Sequence, residues 1–173
     1  MKQFECSLAR DDDLPQCDRK IAAFVKYWRG IRPADAVLPG RQHFDPAEIP
    51  QLLPLLRLYD VHRDPWRFRY RLIGTELVRV VGRDLTGTWF HDGIANAEET
   101  SSFRNLVFVA EGKGLSYRCG FPLLHSRNKN HLSAERILLP LARNGNDVDI
   151  VLGLTVFHPV NIEAPPRPVA VEI

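Results

Sequence analysis

The sequence predicts an α+β domain with an amphipathic helix in front of it, and three observations carry that expectation. Strand-like runs occur twice between Leu56 and Leu72 and three more times after Leu115. Apolar residues three and four positions apart fill the interval, through Phe103, Leu106, Val107 and Ala110, and the same spacing recurs earlier at Ile21, Phe24, Val25 and Trp28. A chain of 173 residues is close to the size of one domain, which buries about 70% of the surface its unfolded form exposes, so one core suffices.

Composition removes several classes of function. With 45% hydrophobic and 25% charged residues the chain is neither disordered nor membrane-embedded, and no run approaches the roughly 18 to 20 apolar residues that span a bilayer. The N-terminus MKQFECSLARDDDLPQ is too charged for a secretory signal, so a cytoplasmic location is expected. Cys6, Cys17 and Cys119 are odd in number and lack C-x-x-C spacing, which fits reduced thiols better than a disulfide framework or a zinc site. A formal charge of +2 gives no general electrostatic case for nucleic acid.

The elements run in order. In CDRKIAAFVKYWRG one helical face is apolar and Gly30 ends the helix, while IRPADAVLPGRQ reads as a loop. DPAEIPQLLPLL begins with Asp45 as an N-cap, Pro46 at the first position and Glu48 in capping-box position, and Pro50 and Pro54 keep the helical turns after it short and irregular. LRLYDV is a strand, HRDP a turn and RFRYRL the next strand, with Phe68, Tyr70 and Leu72 on the buried side and Arg67, Arg69 and Arg71 outward. A slip of one residue would bury the guanidiniums at several kcal/mol each, so the alternation predicts one register.

Gly74 ends that strand, Thr75 caps a short helix through Leu77, Val78, Val80 and Val81, and Gly82 closes it in the left-handed conformation. These glycines do not form the dinucleotide fingerprint, since Gly74, Gly82 and Gly87 are too widely spaced, and the P-loop lysine is missing. A long helix is expected near 98–112, stopped by Gly112 or Gly114. LSYRCGFPLL, AERILLPL and DIVLGLTVF then form three strands in meander, with SRNKN and ARNGND as hairpin turns. Residues 1–54 make the N-terminal helix, loop and short capped helix, 55–158 the domain, and 159–173 an extended proline-rich tail.

The words YWRGIRPADAVLPGRQHFDPAEIPQLLPLLRLYDV, FRYRLIGTELVRVVGRDLTG and ERILLPL closely resemble a bacterial family of short, largely stand-alone PAS proteins, first grouped as a domain of unknown function. The resemblance runs from about Trp28 to Phe157, and YRLIGTELVRVVGRDLTG is its most specific word. It implies a PAS-like five-stranded antiparallel sheet with helices on one face and an N-terminal flanking helix. It implies a sensory or regulatory module that holds a small molecule or contacts another protein. It brings no catalytic residues.

On that reading a cavity under the sheet is lined by Tyr70, Leu72, Phe103, Val107, Tyr117, Cys119, Phe121, Ile137, Leu139, Leu152 and Leu154, and its ligand is mostly apolar. The alternative, that these residues fill a solid core in a pure dimerisation adaptor, stays open. Photoactive flavin is not expected, because GRDLTGTWFHDG lacks the cysteine of the flavin-photoreceptor word. Haem is not expected either, because residues 97–112 hold no axial histidine. His91 reads as part of a turn, and His125 and His131 as hairpin residues rather than metal ligands.

No G-x-S-x-G elbow or H-E-x-x-H motif occurs, and Cys119 reads as an inert buried thiol, so the chain is expected not to be an enzyme; a small enzyme using the cavity ranks low. Arg67, Arg69 and Arg71 beside Arg63 form a stripe that reads as a solvated outer sheet face, the commoner case, or as a surface for an acidic protein partner. Nucleic acid ranks lower, because Phe68 and Tyr70 point away from the arginines. The stripe Ile21, Phe24, Val25 and Trp28 needs a surface beyond the PAS core, which points to a homodimer built on this helix, with packing within one chain as the alternative.

Overall fold

Asp18 opens the first helix by accepting the Lys20 N–H at 2.7 Å, and α1 runs from Arg19 to Gly30. The computed structural model describes residues 6–8, 16–94, 96–112, 114–120 and 132–159. Beyond α1, Asp45 caps a single 3-10 turn, Pro46–Glu48, by accepting the Ala47 N–H. Its backbone is pinned to α1, since the Tyr27 hydroxyl donates to the Asp45 carbonyl and accepts the Asp45 N–H.

The five expected strands are present: β2 (Leu56–His62), β3 (Arg67–Ile73), β4 (Leu115–Gly120), β5 (Leu132–Leu141) and β6 (Ile150–Pro159). All their pairings are antiparallel. A short strand that the sequence reading placed in no element, β1 (Cys6–Leu8), adds to the edge at β4, giving the order β1-β4-β5-β6-β2-β3. Between β3 and β4 lie α2 (Thr75–Val81) and α3 (Ser101–Ala110). Gly82 takes φ 87° at the end of α2, as its position predicts. The N-cap of α2 is Gly74 rather than Thr75, and Thr100 caps α3 by accepting the Phe103 N–H.

The sheet is covered on both sides: α2 and α3 lie over one face, as expected of the domain, and the flanking helix α1 lies over the other. One core lies beneath α1, where Ile21, Phe24, Val25 and Trp28 pack with Leu56, Leu58 and alternate residues of β4, β5 and β6. The Trp28 indole N–H donates to the buried Pro140 carbonyl at 2.9 Å. Glu135 holds the start of the helix, accepting the Asp18 N–H and the Tyr117 hydroxyl. On the other side, Phe68, Phe90, Phe103, Leu106 and Val109 form a second core under α3.

This arrangement corrects the homodimer interface assigned to α1. Ile21 and Phe24 are 0% exposed within one chain, and Val25 and Trp28 are nearly so. The apolar stripe finds its surface on the sheet of its own chain, so a contact between copies would use other residues.

A second correction concerns β3. Leu58 pairs with Leu72 and Tyr59 with Tyr70, which leaves Arg71 as an extra residue, a β-bulge. The bulge reverses the alternation at that point. Phe68 is fully buried and Tyr70 half-buried, but Leu72 turns out to solvent at 44% exposure and Ile73 takes the inward place.

Phe24→Ala is expected to cost about 3–5 kcal/mol of unfolding free energy, independent of protein concentration, because the contact lies within one chain. Leu72→Ser should change stability by no more than about 0.5 kcal/mol, as a surface site does. Denaturant titrations at two protein concentrations check both.

Candidate functional site

The side chains that β2, β4, β5 and β6 turn away from α1 form the floor of a cavity of about 440 Å³. Two rungs of the sheet build it. In one, Ser116 lies beside Leu138, Leu138 beside Gly153, Gly153 beside Arg57 and Arg57 beside Ile73. In the next, Arg118 pairs with Arg136 and Arg136 with Thr155. The roof comes from Leu77 and Val81 of α2, from Leu85, Trp89, Phe90 and Ile94 of the connecting segment, and from Ser102, Asn105 and Leu106 of α3.

A glycine makes the floor possible. A Cβ placed on Gly153 would lie 2.9 Å from Arg57 Nε, 3.0 Å from its Cγ and 3.1 Å from Leu138 Cδ2. The Arg57 chain therefore lies across β6 in the space that a side chain would otherwise take. Its guanidinium also sits 5.8 Å from the Tyr59 ring centroid, in cation–π range.

The floor is cationic where most of the roof is apolar. Arg57, Arg118 and Arg136 line it, with Arg83 exposed among the lining residues. Arg118 reaches Ser102 Oγ on α3 at 3.5 Å. Burial, and then the charges of Arg57 and Arg118, push the Arg136 guanidinium down to about 9, so it remains charged at neutral pH in a setting that disfavours the charge. The described carboxylate in the lining, Asp92, accepts the Trp89 N–H and so closes the 3-10 turn Phe90–Gly93. Arg57 Nε, Ser116 Oγ and Thr155 Oγ1 are buried with no hydrogen-bond partner among the described residues.

At the β2–β3 end the walls are aromatic. Tyr59 and Tyr70 lie 4.8 Å apart between ring centroids, and Tyr70 stacks on Phe90 at 6.3 Å. Burial, reinforced by Tyr59, holds the Tyr70 hydroxyl far above the usual phenol range, so it stays a neutral hydrogen-bonding group.

The structure separates the eleven residues assigned to the cavity from sequence. Tyr70 lines it. Phe103 and Val107 belong to the core around α3 beside it, and Leu72 is exposed. Tyr117, Ile137, Leu139, Leu152 and Leu154 lie on the opposite face under α1. Cys119 is exposed rather than buried, and partial desolvation together with the Glu135 carboxylate raises its pKa, which keeps it a thiol. Phe121, His125 and His131 lie outside the described residues. The physical reason is parity: β6 is buried without interruption from Ile150 to Val156, so alternation does not tell which set faces which layer. A charged or hydroxylated residue at every second position, Ser116 and Arg118 on β4 and Thr155 on β6, is the signal that could have found the floor.

The arginine stripe is engaged within the chain. Arg67 lies over the Trp89 ring at 4.1 Å, Arg69 donates to the Gly87 carbonyl, and Arg71 pairs with Asp60 at 3.0 Å. Arg63 donates to the Ala110 and Val148 carbonyls, tying the β2–β3 turn to the end of α3. His91 packs its ring edge-on against Phe103 and lies 3.7 Å from Glu98. Among the described residues no group of histidines, cysteines and carboxylates is placed to hold a metal ion, and no helix is long and apolar enough to cross a membrane.

A family model described as a PAS domain matches residues 18–156. No curated protein and no solved structure gives a match.

Gly153→Ala is expected to cost about 1–3 kcal/mol, because its methyl displaces Arg57 from its track over β6. Combined with Arg57→Ala, it should recover about 1 kcal/mol or more of that loss, a coupling read from a double-mutant cycle of denaturant midpoints. Strict additivity would show that Arg57 does not depend on the glycine.

Proposed function

This chain belongs to the PAS domain family, and we propose that it is a sensory or regulatory module that binds a small molecule in the cavity between its sheet and α2 and α3. The family as a whole supports a sensory rather than a catalytic role. The observation that carries the ligand reading is the cavity itself. At about 440 Å³ it falls within the range of small-molecule sites, and a core meant only to be packed would be filled to crystal-like density. Its lining of aromatic walls and a few convergent polar groups is the composition by which such sites orient a ligand.

In a sensory module, occupancy acts through structure. The floor strands β4, β5 and β6 carry cavity residues on one face and the seat of α1 on the other. A ligand that reshapes the floor therefore bears on α1, and α1 offers the surface through which a partner protein would sense the change.

Native mass spectrometry of the purified protein, before and after incubation with a small-molecule extract, tests the ligand reading. A discrete added mass is expected on the wild type. It should be lost in Thr155→Trp, whose indole occupies the floor, and kept in Cys119→Trp, whose site is exposed and outside the lining. Bare protein in every sample, or equal uptake by the folded Thr155→Trp variant, would overturn the cavity as a binding site.

A further inference from the structure

The floor of the cavity carries a pattern that a receptor for an apolar molecule would not need. Arg118 and Arg136 are direct cross-strand partners, and Arg57 reaches towards them across Gly153. Like charges placed opposite each other on a sheet destabilise it, and burying guanidiniums costs several kcal/mol before any compensation. Ser116 and Thr155, each 2% exposed, turn hydroxyls without a partner among the described residues into the same space. Charged and hydroxyl donors that converge on one side of a cavity are the groups that bind carboxylate or phosphate oxygens.

We propose that the ligand of this cavity is a small organic anion, bearing a carboxylate or phosphate head held by Arg57, Arg118 and Arg136 with the hydroxyls of Ser116 and Thr155, and a flat apolar body against Tyr59, Tyr70 and Phe90. The inference rests on the reading of the cavity as a small-molecule site and narrows its chemistry. Arg57 joins the two ends, because its guanidinium lies in cation–π range of Tyr59 while its chain crosses the floor. An anion there would sit among three guanidiniums and offer acceptors to Arg57 Nε and to the hydroxyls of Ser116 and Thr155, which have no hydrogen-bond partner among the described residues.

The test uses four probes at low ionic strength: benzoate, phenyl phosphate, inorganic phosphate and neutral benzamide. Binding is followed by the shifts of backbone amide resonances of cavity residues. Benzoate or phenyl phosphate is expected to bind at least about tenfold more tightly than benzamide. Arg57→Met should weaken the anions by about tenfold or more and leave benzamide unchanged, and Arg57→Lys, which keeps the charge and loses the fork, should fall between. Ser116→Ala provides a second variant that leaves the guanidiniums in place, with an expected loss of several-fold for the anions alone.

Benzamide binding as tightly as benzoate would overturn the anion assignment and leave the small-molecule reading standing. Anions that bind equally to wild type and folded Arg57→Met would overturn it too, by placing their site elsewhere. Silence from all four probes at about 10 mM likewise overturns it. In that case the mass measurement alone decides whether the cavity binds anything.

Discussion

The seating of α1 on the sheet is the contact on which the rest depends. Ile21, Phe24, Val25 and Trp28 seal one face of β4, β5 and β6, and with that face closed the central strands become buried on both sides. Each buried Phe, Ile or Val contributes on the order of 1.5–3 kcal/mol, so this layer is a large part of what holds the fold. It also leaves the opposite face free of the duty of being apolar throughout. Arginines and hydroxyls can stand on the cavity floor because the hydrophobic stabilisation has been gathered behind it.

Two glycines mark places where backbone geometry controls the site. Gly82, in the left-handed conformation, stops α2 after Val81 and turns the chain into the segment that roofs the cavity. Gly153 works through the absence of a side chain, giving Arg57 a track across β6. The bulge at Arg71 is a third device. By inserting one residue it lets Tyr70 and Ile73 both face the cavity side, and it sends Leu72 and Arg71 outward.

Much of the fold is legible in the sequence because the elements are bounded by strong local signals. Gly30 stands at the end of α1, Asp45 caps the turn before β2, Gly82 ends α2, and the two expected runs before α2 and three after α3 are strands. The site is far less legible. Alternation identifies faces only when one of them is solvated, and in β4 and β6 neither is. The more apolar set, Tyr117, Ile137, Leu139, Leu152 and Leu154, is the one that sequence assigns to the cavity, and it packs under α1 instead. The bulge escapes for a related reason: Arg71 continues the sequence pattern of Arg67 and Arg69 without a break. What alternation could not supply, the chemistry of single residues could have, since Arg118 and Arg136 interrupt runs that are otherwise apolar enough to be wholly buried.

Because neighbouring residues of a strand serve opposite faces, the cavity floor and the seat of α1 are one sheet of backbone seen from two sides. Thr155 looks into the cavity, while Leu154 and Val156 lie beneath the helix. The wall between the two compartments is a single peptide thick, with no intervening layer to absorb strain. A displacement of β6 at Thr155 by a fraction of an ångström is therefore felt at once in a close-packed layer that has no slack to accommodate it. The geometry is that of a diaphragm: one strand borders both compartments, and no second layer stands between the two surfaces.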